Sequence, residues 1–450
     1  MSDIIAKDHC SLIVGAGATG ISIARHLLAR GEFCIAYDTR AERAVMQDMI
    51  ALLGEDRCFN YTLPEAQRQE ITRVCLSPGV ALSDPVVQWA RQKHIPVVGD
   101  IALFLQAARA PVVGITGSNG KSTVTTLLGD VAKKAGLRTA VGGNLGQPAL
   151  SLLDDAIELY VLEISSFQLE STENPKLKVA VNLNLSADHL DRHGSMANYF
   201  AIKQKIFHGA QHVVYKLHDA LTQPPLVASV KRYGFGIAPK IEKREIQFHL
   251  DAGHQNLQRE EHSVFSRAAV RQKGLHNLEN VLAVLACAEA LNIDFSHVAS
   301  VVAEFTGLPH RCQWVAELGG VTFINDSKAT NVGACAAALS GLKADFKHIV
   351  LIAGGLAKGA DFTELAAHII ESVSSLVLIG RDGPQLHAAV ADKIPCFFAS
   401  DMRDAVVIAR AQASAGDLVL LSPACASMDM FRNFEERGDV FRACVEELAA

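Results

Sequence analysis

Residues 112–129 read VVGITGSNGKSTVTTLLG, and this stretch decides how the middle of the chain folds. An apolar run typical of a buried strand leads into a glycine-rich turn, and a helical pattern begins at Lys121. A strict phosphate-binding loop is spaced G-x-x-x-x-G-K-[ST], yet Ile115 stands where its first glycine belongs. The strand–loop–helix order still predicts an anion site, because loop N–H groups and the helix dipole favour negative charge. We expect Lys121 to reach nucleotide phosphates and Ser122 to contact Mg²⁺; an ordinary helix cap is the alternative.

Two later strands end in side chains that suit a metal. LYVLEISS places Glu163 at the end of an apolar run, where its carboxylate is positioned for Mg²⁺, unless it is simply solvated. VAVNLNLSADHLDRHG places His189 after the next strand, and imidazole is an unusual ligand for Mg²⁺ but an ordinary one for Mn²⁺. The helix predicted over residues 195–210 carries Lys203 and Lys205, whose spacing alone is typical of a solvated face.

The N-terminal stretch LIVGAGATG puts three glycines in G-x-G-x-x-G register between a strand and a helix. Asp38 follows at the end of the next strand, with Thr39 and Arg40 beside it. Such a turn presents N–H groups to a diphosphate and an acid to a ribose hydroxyl. A dinucleotide and a nucleotide sugar fit it equally well, and a tight structural crossing without any ligand is the further alternative.

The whole chain alternates continuous apolar runs with helical patterns, which predicts parallel sheets covered by helices on both faces. A length of 450 residues suits about three domains, and we place them at 1–109, 110–309 and 310–450. Residues 215–272 are polar and weakly patterned, as in a mixture of strands and loops. Near the second boundary, Arg311 and Asp326 head a polar cluster of the kind that lines clefts between domains.

Composition narrows the class of ligand. The net charge of −6 offers no basic field, so nucleic acid is not an expected partner. We expect a cytoplasmic protein that binds small ligands. Ten cysteines include no C-x-x-C pair, which predicts neither a disulfide framework nor a zinc site. The N-terminus lacks the pattern of a signal peptide, and no apolar run approaches the ~20 residues that a membrane span requires.

Six motifs together resemble the Mur ligase family: GITGSNGKST, EISSFQLE, SADHLDRHG, GLHNLENVLA, GLPHRC and INDSKATN, in this order. Its phosphate loop is of the G-x-N-G-K-[ST] kind, which accounts for the displaced glycine. The resemblance covers the chain except residues 215–272. It implies a three-domain α/β fold: a Rossmann-like N-terminal domain for a uridine-diphosphate sugar, a central P-loop ATPase-like domain with a parallel sheet, and a Rossmann-like C-terminal domain for an amino acid.

The motifs NDSKATN and LSPACASMDMFRNFEERG are similar to those of family members that add D-glutamate. The resemblance thus implies addition of D-glutamate to UDP-N-acetylmuramoyl-L-alanine, through an acyl phosphate and with release of ADP and phosphate, in peptidoglycan precursor synthesis. Separately from the resemblance, we expect a monomer in the cytoplasm. A ligase of the same family with another amino acid, or a folylpolyglutamate-synthetase-like ligase, is the alternative. Two other hypotheses are a nicotinamide oxidoreductase, which leaves the phosphate loop unexplained, and a nucleotide-sugar sensor without catalysis.

The resemblance also assigns residues to ligands. For ATP it implies Gly117, Asn119, Gly120, Lys121, Ser122, Thr123, Asn277, Asn280, Arg311 and Asp326. For the uridine-diphosphate sugar it implies Ala18, Thr19, Asp38, Thr39, Arg40, Ser77 and Asn144, and for D-glutamate Thr330, Lys358, Ser427 and Phe434. For two Mg²⁺ ions it implies Ser122, Glu163, His189 and a carbamate on Lys203, with Lys121, His189 and Lys203 serving catalysis. The loop around Lys358 reads GGLAKGAD, less polar than the GGDGK-like run we expect there.

Overall fold

A computed structural model describes residues 10–40, 42–186, 188–225, 227, 229–241, 244–357, 359–390 and 393–448. Its strands form three sheets of five, nine and six strands. By compactness the chain divides into two units, Met1–Ser266 with Asn280–Val301 and Arg267–Glu279 with Val302–Ala450. The first two sheets lie in the first unit and the third sheet lies in the second.

The N-terminal sheet is parallel throughout and has the order β3-β2-β1-β4-β5. Its strands are β1 Cys10–Val14, β2 Phe33–Asp38, β3 Cys58–Asn60, β4 Ile71–Leu76 and β5 Val97–Gly99. Its helices are α1 Ala18–Ala29, α2 Gln47–Leu53, α3 Glu65–Arg68, α4 Pro85–Gln92 and α5 Asp100–Ala107. The strand order reverses between β1 and β4, so a ligand crevice is expected beyond the carboxyl ends of these two strands.

The central sheet has the order β14-β13-β12-β11-β10-β9-β6-β8-β7 and is antiparallel only at β13 and β14. The strands are β6 Val112–Thr116, β7 Thr139–Gly143, β8 Leu159–Glu163, β9 Val179–Asn182, β10 His212–Lys216, β11 Lys231–Phe235, β12 Ile246–Leu250, β13 Asn256–Arg259 and β14 His262–Ser266. The helices are α6 Lys121–Lys134, α7 Ser166–Glu170, α8 Leu190–His193, α9 Met196–Gln204, α10 Leu275–Leu291 and α11 Phe295–Glu304. The weakly patterned region therefore supplies the last strands of this sheet. The helix expected over residues 195–210 ends earlier, at Gln204, where a short 3₁₀ turn follows.

The third sheet has the order β15-β16-β20-β17-β18-β19, with only the β15–β16 pair antiparallel. The strands are β15 Gln313–Leu318, β16 Val321–Asn325, β17 Ile349–Gly354, β18 Val373–Ile379, β19 Cys396–Phe398 and β20 Leu418–Leu421. The helices are α12 Val332–Leu342, α13 Thr363–Ser372, α14 Gly383–Val390, α15 Met402–Gln412 and α16 Phe434–Glu447. Apolar side chains of the parallel strands are buried on both faces, as their continuous runs predict.

Buried apolar side chains join the first two sheets into one core. This cluster includes Ile23 of α1, Phe104 of α5, Leu162 of β8 and Ile206 after α9. Polar contacts also cross between them: Gln168 donates to the buried Asp100 carboxylate at 2.8 Å. The nucleotide-sugar turn and the phosphate loop are therefore parts of one packed unit. Across the described ranges, no helix has both the length and the apolar character needed to span a bilayer.

Candidate functional site

The phosphate loop depends on glycine at two backbone positions. Gly117 and Gly120 have φ of +152° and +82°, which disfavour residues that carry a side chain. A Cβ on Gly120 would also lie 2.5 Å from Asn280 Oδ1. The out-of-register Gly114 lies inside β6, where a Cβ would lie 2.5 Å from Leu177 Cδ1. Gly114 therefore allows close packing within the strand, and the turn is formed by residues 117–120.

Asn184, which the sequence analysis did not single out, fixes this turn. Its Oδ1 accepts the Asn119 N–H at 2.8 Å, its Nδ2 donates to Asn119 O at 3.1 Å, and its carbonyl accepts the Ser118 N–H at 3.0 Å. The residue lies just beyond β9, so the neighbouring strand supports the loop that follows β6. Its position 65 residues from Asn119 explains why no local pattern marks it.

Two lysines meet at one carbonyl of the loop. Lys121 Nζ donates to Gly117 O at 2.8 Å and to Ser118 O at 2.9 Å. Lys203 Nζ donates to the same Gly117 O at 3.0 Å and to Thr116 Oγ1 at 3.0 Å. Lys203 is only 1% exposed, so the solvated face inferred from spacing is wrong for this residue. Burial, followed by the nearby Lys121 charge, lowers the pKa of Lys203 well below its usual range.

Glu163 has one carboxylate oxygen available for a ligand. It ends β8, beside Ile115 of β6, and is 3% exposed. Its Oε1 accepts from Asn144 Nδ2 at 2.6 Å, whereas the buried Oε2 has no hydrogen-bond partner among the described residues. Leaving such an oxygen unpaired is costly unless a ligand fills the position. Ser122, the other predicted Mg²⁺ ligand from this region, is buried in the first turn of α6.

His189 is placed on a surface segment. Its side chain is 49% exposed, its φ is +50°, and its Nε2 lies 3.5 Å from Asp188 Oδ2. Its ring centroid lies 4.9 Å from that of Phe167. Across the described ranges, no group of three or more His, Cys, Asp or Glu side chains forms a ready metal cluster.

The N-terminal turn has the geometry that its glycines predict. Gly15 follows β1 with φ of +98°, and a Cβ there would lie 2.8 Å from Ser77 Cβ. A Cβ on Gly20 would lie 1.8 Å from Gly15 O, so helix α1 can approach the strand only with glycine there. Ser77 Oγ donates to Gly15 O at 3.1 Å and ties the loop after β4 to this turn. Ala18 and Thr19 open α1 at the same crevice.

Asp38 is held by its own neighbourhood. Its carboxylate accepts the Ala16 N–H at 2.8 Å and the Arg40 guanidinium at 2.8 Å through both oxygens. Burial opposes ionisation, but the hydrogen bonds from Arg40 and Ala16 outweigh it and lower the pKa of Asp38. The Arg40 side chain is 54% exposed, and Thr39 is exposed beside it. The ionised Asp38 carboxylate therefore orders the glycine turn and fixes the orientation of the Arg40 side chain.

Asp326, in the second unit directly after β16, is held by two hydrogen bonds. Its Oδ1 accepts the Cys312 N–H at 3.1 Å and its Oδ2 accepts from Ser422 Oγ at 2.9 Å. Burial, partly offset by the Ser422 hydrogen bond, raises the pKa of Asp326 to about 6. Lys328 Nζ lies 3.8 Å from the Phe434 ring centroid, and burial followed by Arg311 lowers the pKa of Lys328.

Replacing Asp326 with asparagine is expected to raise the thermal midpoint at about pH 8 by a few degrees. The folded-state pKa lies above the ordinary value of an aspartate, so the ionised carboxylate destabilises the fold progressively as pH rises through about 6. Asparagine can still accept from Cys312 and donate to Ser422. Thermal melts between about pH 4 and 8 measure the effect, and a variant with a lower midpoint than wild type at every pH contradicts it.

Arg437 is the residue that sequence reasoning missed in this unit. It is fully buried in α16 and donates from Nε to Ser327 Oγ at 3.0 Å, from Nη2 to Ser327 O at 2.8 Å and from Nη1 to Cys425 O at 3.0 Å. Burial lowers its pKa to about 10. It thereby orders the segments that carry Thr330 and the buried Ser427. The arginine lies 110 residues from Ser327, and in sequence it resembles any charged residue of a surface helix.

The remaining predicted residues are placed as follows. Thr123 lies in the first turn of α6. Asn277, in the second unit, is buried and donates from Nδ2 to Lys273 O at 2.7 Å. Asn280 belongs to the first unit, near Gly120. Lys358 lies outside the described residues.

Comparison with known proteins matches three family models along the chain. They are the MurD-like N-terminal domain at residues 9–99, the Mur ligase middle domain at 115–288 and the glutamate ligase domain of Mur ligases at 310–425. The chain belongs to the Mur ligase family, as the six motifs predicted. Two full-length relatives are the UDP-N-acetylmuramoylalanine–D-glutamate ligases of Saccharophagus degradans, 48% identical, and Teredinibacter turnerae, 47% identical, each aligned over 100% of both chains.

Solved structures support the fold. A pseudomurein peptide ligase type C from Methanothermus fervidus has a TM-score of 0.59 at 17% identity and covers 98% of this chain and 100% of its own. The MurF ligase from Thermotoga maritima, solved in complex with ADP, has a TM-score of 0.57 at 16% identity and covers 100% of each chain. The predicted three-domain α/β architecture is confirmed. The exact domain boundaries stay a prediction.

Proposed function

We propose that this chain adds D-glutamate to UDP-N-acetylmuramoyl-L-alanine through an acyl phosphate, with conversion of ATP to ADP and phosphate, in peptidoglycan precursor synthesis. The choice of amino acid rests on full-length relatives of that name at 47–48% identity. The structural observation that supports a phosphoryl-transfer ligase is the convergence of Lys121 and Lys203 on the Gly117 carbonyl, with the charge of Glu163 near enough to act on Lys203. A nicotinamide oxidoreductase would have no use for this cluster.

The chemistry needs ATP because a carboxylate has no adequate leaving group. In the first step an oxygen of the L-alanyl carboxylate bonds to the γ-phosphorus, the bond to the β-phosphate oxygen breaks, and ADP leaves. In the second step the amine of D-glutamate bonds to the acyl carbon, phosphate leaves, and the amine loses a proton. Two anions must approach in the first step, so Lys121 and the N–H groups of residues 117–120 would offset their repulsion.

We propose that Ser122 and Glu163 hold one Mg²⁺ and that His189 and a carbamate on Lys203 hold a second, with Mn²⁺ as a substitute. The unpaired Glu163 Oε2 fits a hard cation, since Mg²⁺ prefers oxygen ligands. When bound, Mg²⁺ neutralises phosphate charge. A carbamate would turn Lys203 from a cation into an oxygen ligand.

The surroundings of Lys203 favour that modification. Carbamate formation requires a neutral amine: Nζ bonds to the carbon of CO₂ and releases one proton. Burial and the adjacent Lys121 lower the pKa of Lys203, so the reactive form is populated at a lower pH than for an exposed lysine. The carbamate is an anion beside Lys121. The repulsion between two ammonium groups is therefore replaced by attraction between the carbamate and Lys121. This electrostatic gain supports the proposal.

Replacing Glu163 with glutamine is expected to raise the Mg²⁺ concentration for half-maximal activity by about ten- to a hundredfold. The amide keeps the size of the side chain and one oxygen, but it loses the charge that attracts the cation. Glu158→Gln is the matched control, because Glu158 lies just before the same strand and pairs with the exposed Arg138. Equal Mg²⁺ dependence in the two variants contradicts the metal role.

We propose the remaining ligand contacts on the same basis. Ala18, Thr19, Asp38, Thr39, Arg40, Ser77 and Asn144 would bind the uridine-diphosphate sugar. Gly117, Asn119, Gly120, Lys121, Ser122, Thr123, Asn277, Asn280, Arg311 and Asp326 would bind ATP, and Thr330, Lys358, Ser427 and Phe434 would bind D-glutamate. The two hydroxyls and the lysine suit a dicarboxylate. We also propose a cytoplasmic monomer, because ATP is a cytoplasmic metabolite and the exposed large apolar side chains are spread over separate segments of the chain.

Phosphate release tests the proposed function directly. The protein is incubated with UDP-N-acetylmuramoyl-L-alanine, ATP and Mg²⁺, and D-glutamate is compared with L-alanine, L-glutamate and a diamino acid. We expect release of phosphate with D-glutamate alone. Release with another amino acid identifies a different ligase of the family, and no release with any amino acid supports a sensor instead.

A further inference from the structure

Arg192, on α8, connects the N-terminal sheet to the central sheet within the first unit. Its Nη2 donates to Val80 O at 2.8 Å and lies 3.5 Å from Pro78 O. Both carbonyls belong to the loop 77–80, which follows β4 of the N-terminal sheet. The Arg192 side chain is 15% exposed and begins 112 residues away from Val80 in sequence.

The loop 77–80 shapes the nucleotide-sugar turn. Ser77 Oγ donates to Gly15 O, and both Ser77 and Val80 limit the space beside Gly15. A Cβ added to Gly15 would lie 2.8 Å from Ser77 Cβ and 3.2 Å from Val80 Cγ2. A shift of this loop therefore moves the turn, or opens a gap beside it. Arg192 binds main-chain oxygens of the loop, so this contact does not depend on which side chains the loop carries.

The same guanidinium is also held by Glu170 and Phe167, which follow β8 of the central sheet. Arg192 Nη2 donates to Glu170 Oε2 at 2.7 Å and its Nε to Glu170 Oε1 at 3.3 Å. The guanidinium carbon lies 4.8 Å from the Phe167 ring centroid, and the same ring packs against His189 at 4.9 Å. One planar cation thus contacts the sugar-nucleotide loop, a buried carboxylate and the aromatic ring that supports His189.

We propose that Arg192 is a positioning residue that sets the UDP-sugar turn relative to the His189 segment, so that the L-alanyl carboxylate is delivered to the reacting phosphate. This inference rests on the proposed function. A planar guanidinium can bind a carboxylate edge-on through Nε and Nη2 and still donate from Nη2 to a carbonyl, whereas a lysine ammonium lacks this fixed geometry. Arg192→Lys therefore keeps the charge and loses the positioning.

For Arg192→Lys and Arg192→Ala we expect the KM for UDP-N-acetylmuramoyl-L-alanine to rise about tenfold or more and kcat to fall, while the KM for ATP stays within about twofold. Guanidinium ion added to Arg192→Ala is expected to restore part of the lost KM. Arg109→Ala is the control: this arginine is 80% exposed on the same unit, pairs with Asp155, and its removal is expected to change neither constant.

Calorimetric binding of UDP-N-acetylmuramoyl-L-alanine and of ADP, measured separately, provides a readout without turnover. Weaker binding of the sugar nucleotide with unchanged binding of ADP supports the inference. Equal weakening of both ligands, or wild-type constants in both variants, overturns it. Glu170→Gln, which keeps the volume beside Arg192, serves if the arginine variants fail to fold and should show the same selective loss. Absence of phosphate release in the wild-type protein would instead contradict the proposed function.

Discussion

Replacing Lys121 with alanine is expected to reduce phosphate release by about a hundred- to a thousandfold. The side chain lies at the first helical position after the phosphate loop, and its ammonium already occupies a site formed by the Gly117 and Ser118 carbonyls. Without it, the γ-phosphate and the attacking carboxylate would face each other with less compensating charge. Initial rates at saturating ATP and sugar nucleotide measure the loss, because it falls on the chemical step.

Lys133→Ala is the control for that experiment. Lys133 lies on the same helix, is 53% exposed and pairs with Asp130 at 3.7 Å, so its removal is expected to leave the rate unchanged. A Lys121→Ala enzyme that retains more than about a tenth of the wild-type rate contradicts the assigned role. Binding of the sugar nucleotide, measured by calorimetry, should be similar in both variants because its turn lies on the other sheet.

Replacing Lys203 with alanine is expected to lower the rate by a similar factor of about a hundred or more, and small carboxylates such as acetate or formate are expected to restore part of it. The variant removes the oxygen ligand that a carbamate would supply and leaves a cavity where a small carboxylate can bind. A carbon-13 carbonyl signal after exposure of the wild-type protein to labelled CO₂ would report the modification independently of turnover.

Lys205→Ala provides the matched control on the same segment. Lys205 Nζ reaches outward to Glu173 at 3.0 Å and to the Glu170 carbonyl at 3.2 Å, away from the phosphate loop. We expect a nearly wild-type rate and no response to added carboxylate. Full activity of Lys203→Ala without any additive refutes the carbamate, and loss of activity without carboxylate rescue restricts Lys203 to the role of a structural cation.

The contrast between these two lysines shows what the sequence can predict. Strand runs, the glycine turns and the helix that begins at Lys121 follow from local periodicity and backbone sterics, and all of them are found. Burial of Lys203 does not follow, because helical spacing treats it and Lys205 alike and only packing against β6 separates them. Arg192 and Arg437 escape notice for the same reason: each binds one segment more than a hundred residues away, at Val80 and at Ser327, beyond the reach of any local pattern.

The stretching frequency of the shared Gly117 carbonyl reports on both lysines. Because its oxygen accepts from both ammonium groups, withdrawal of either amine strengthens the carbon–oxygen double bond and raises its vibrational frequency. An isotope-edited infrared band from a carbon-13 label at the Gly117 carbonyl alone would shift once when a triphosphate draws Lys121 away and again when CO₂ consumes the other amine. The sequence of the two shifts during a single titration would then give the order of the two events.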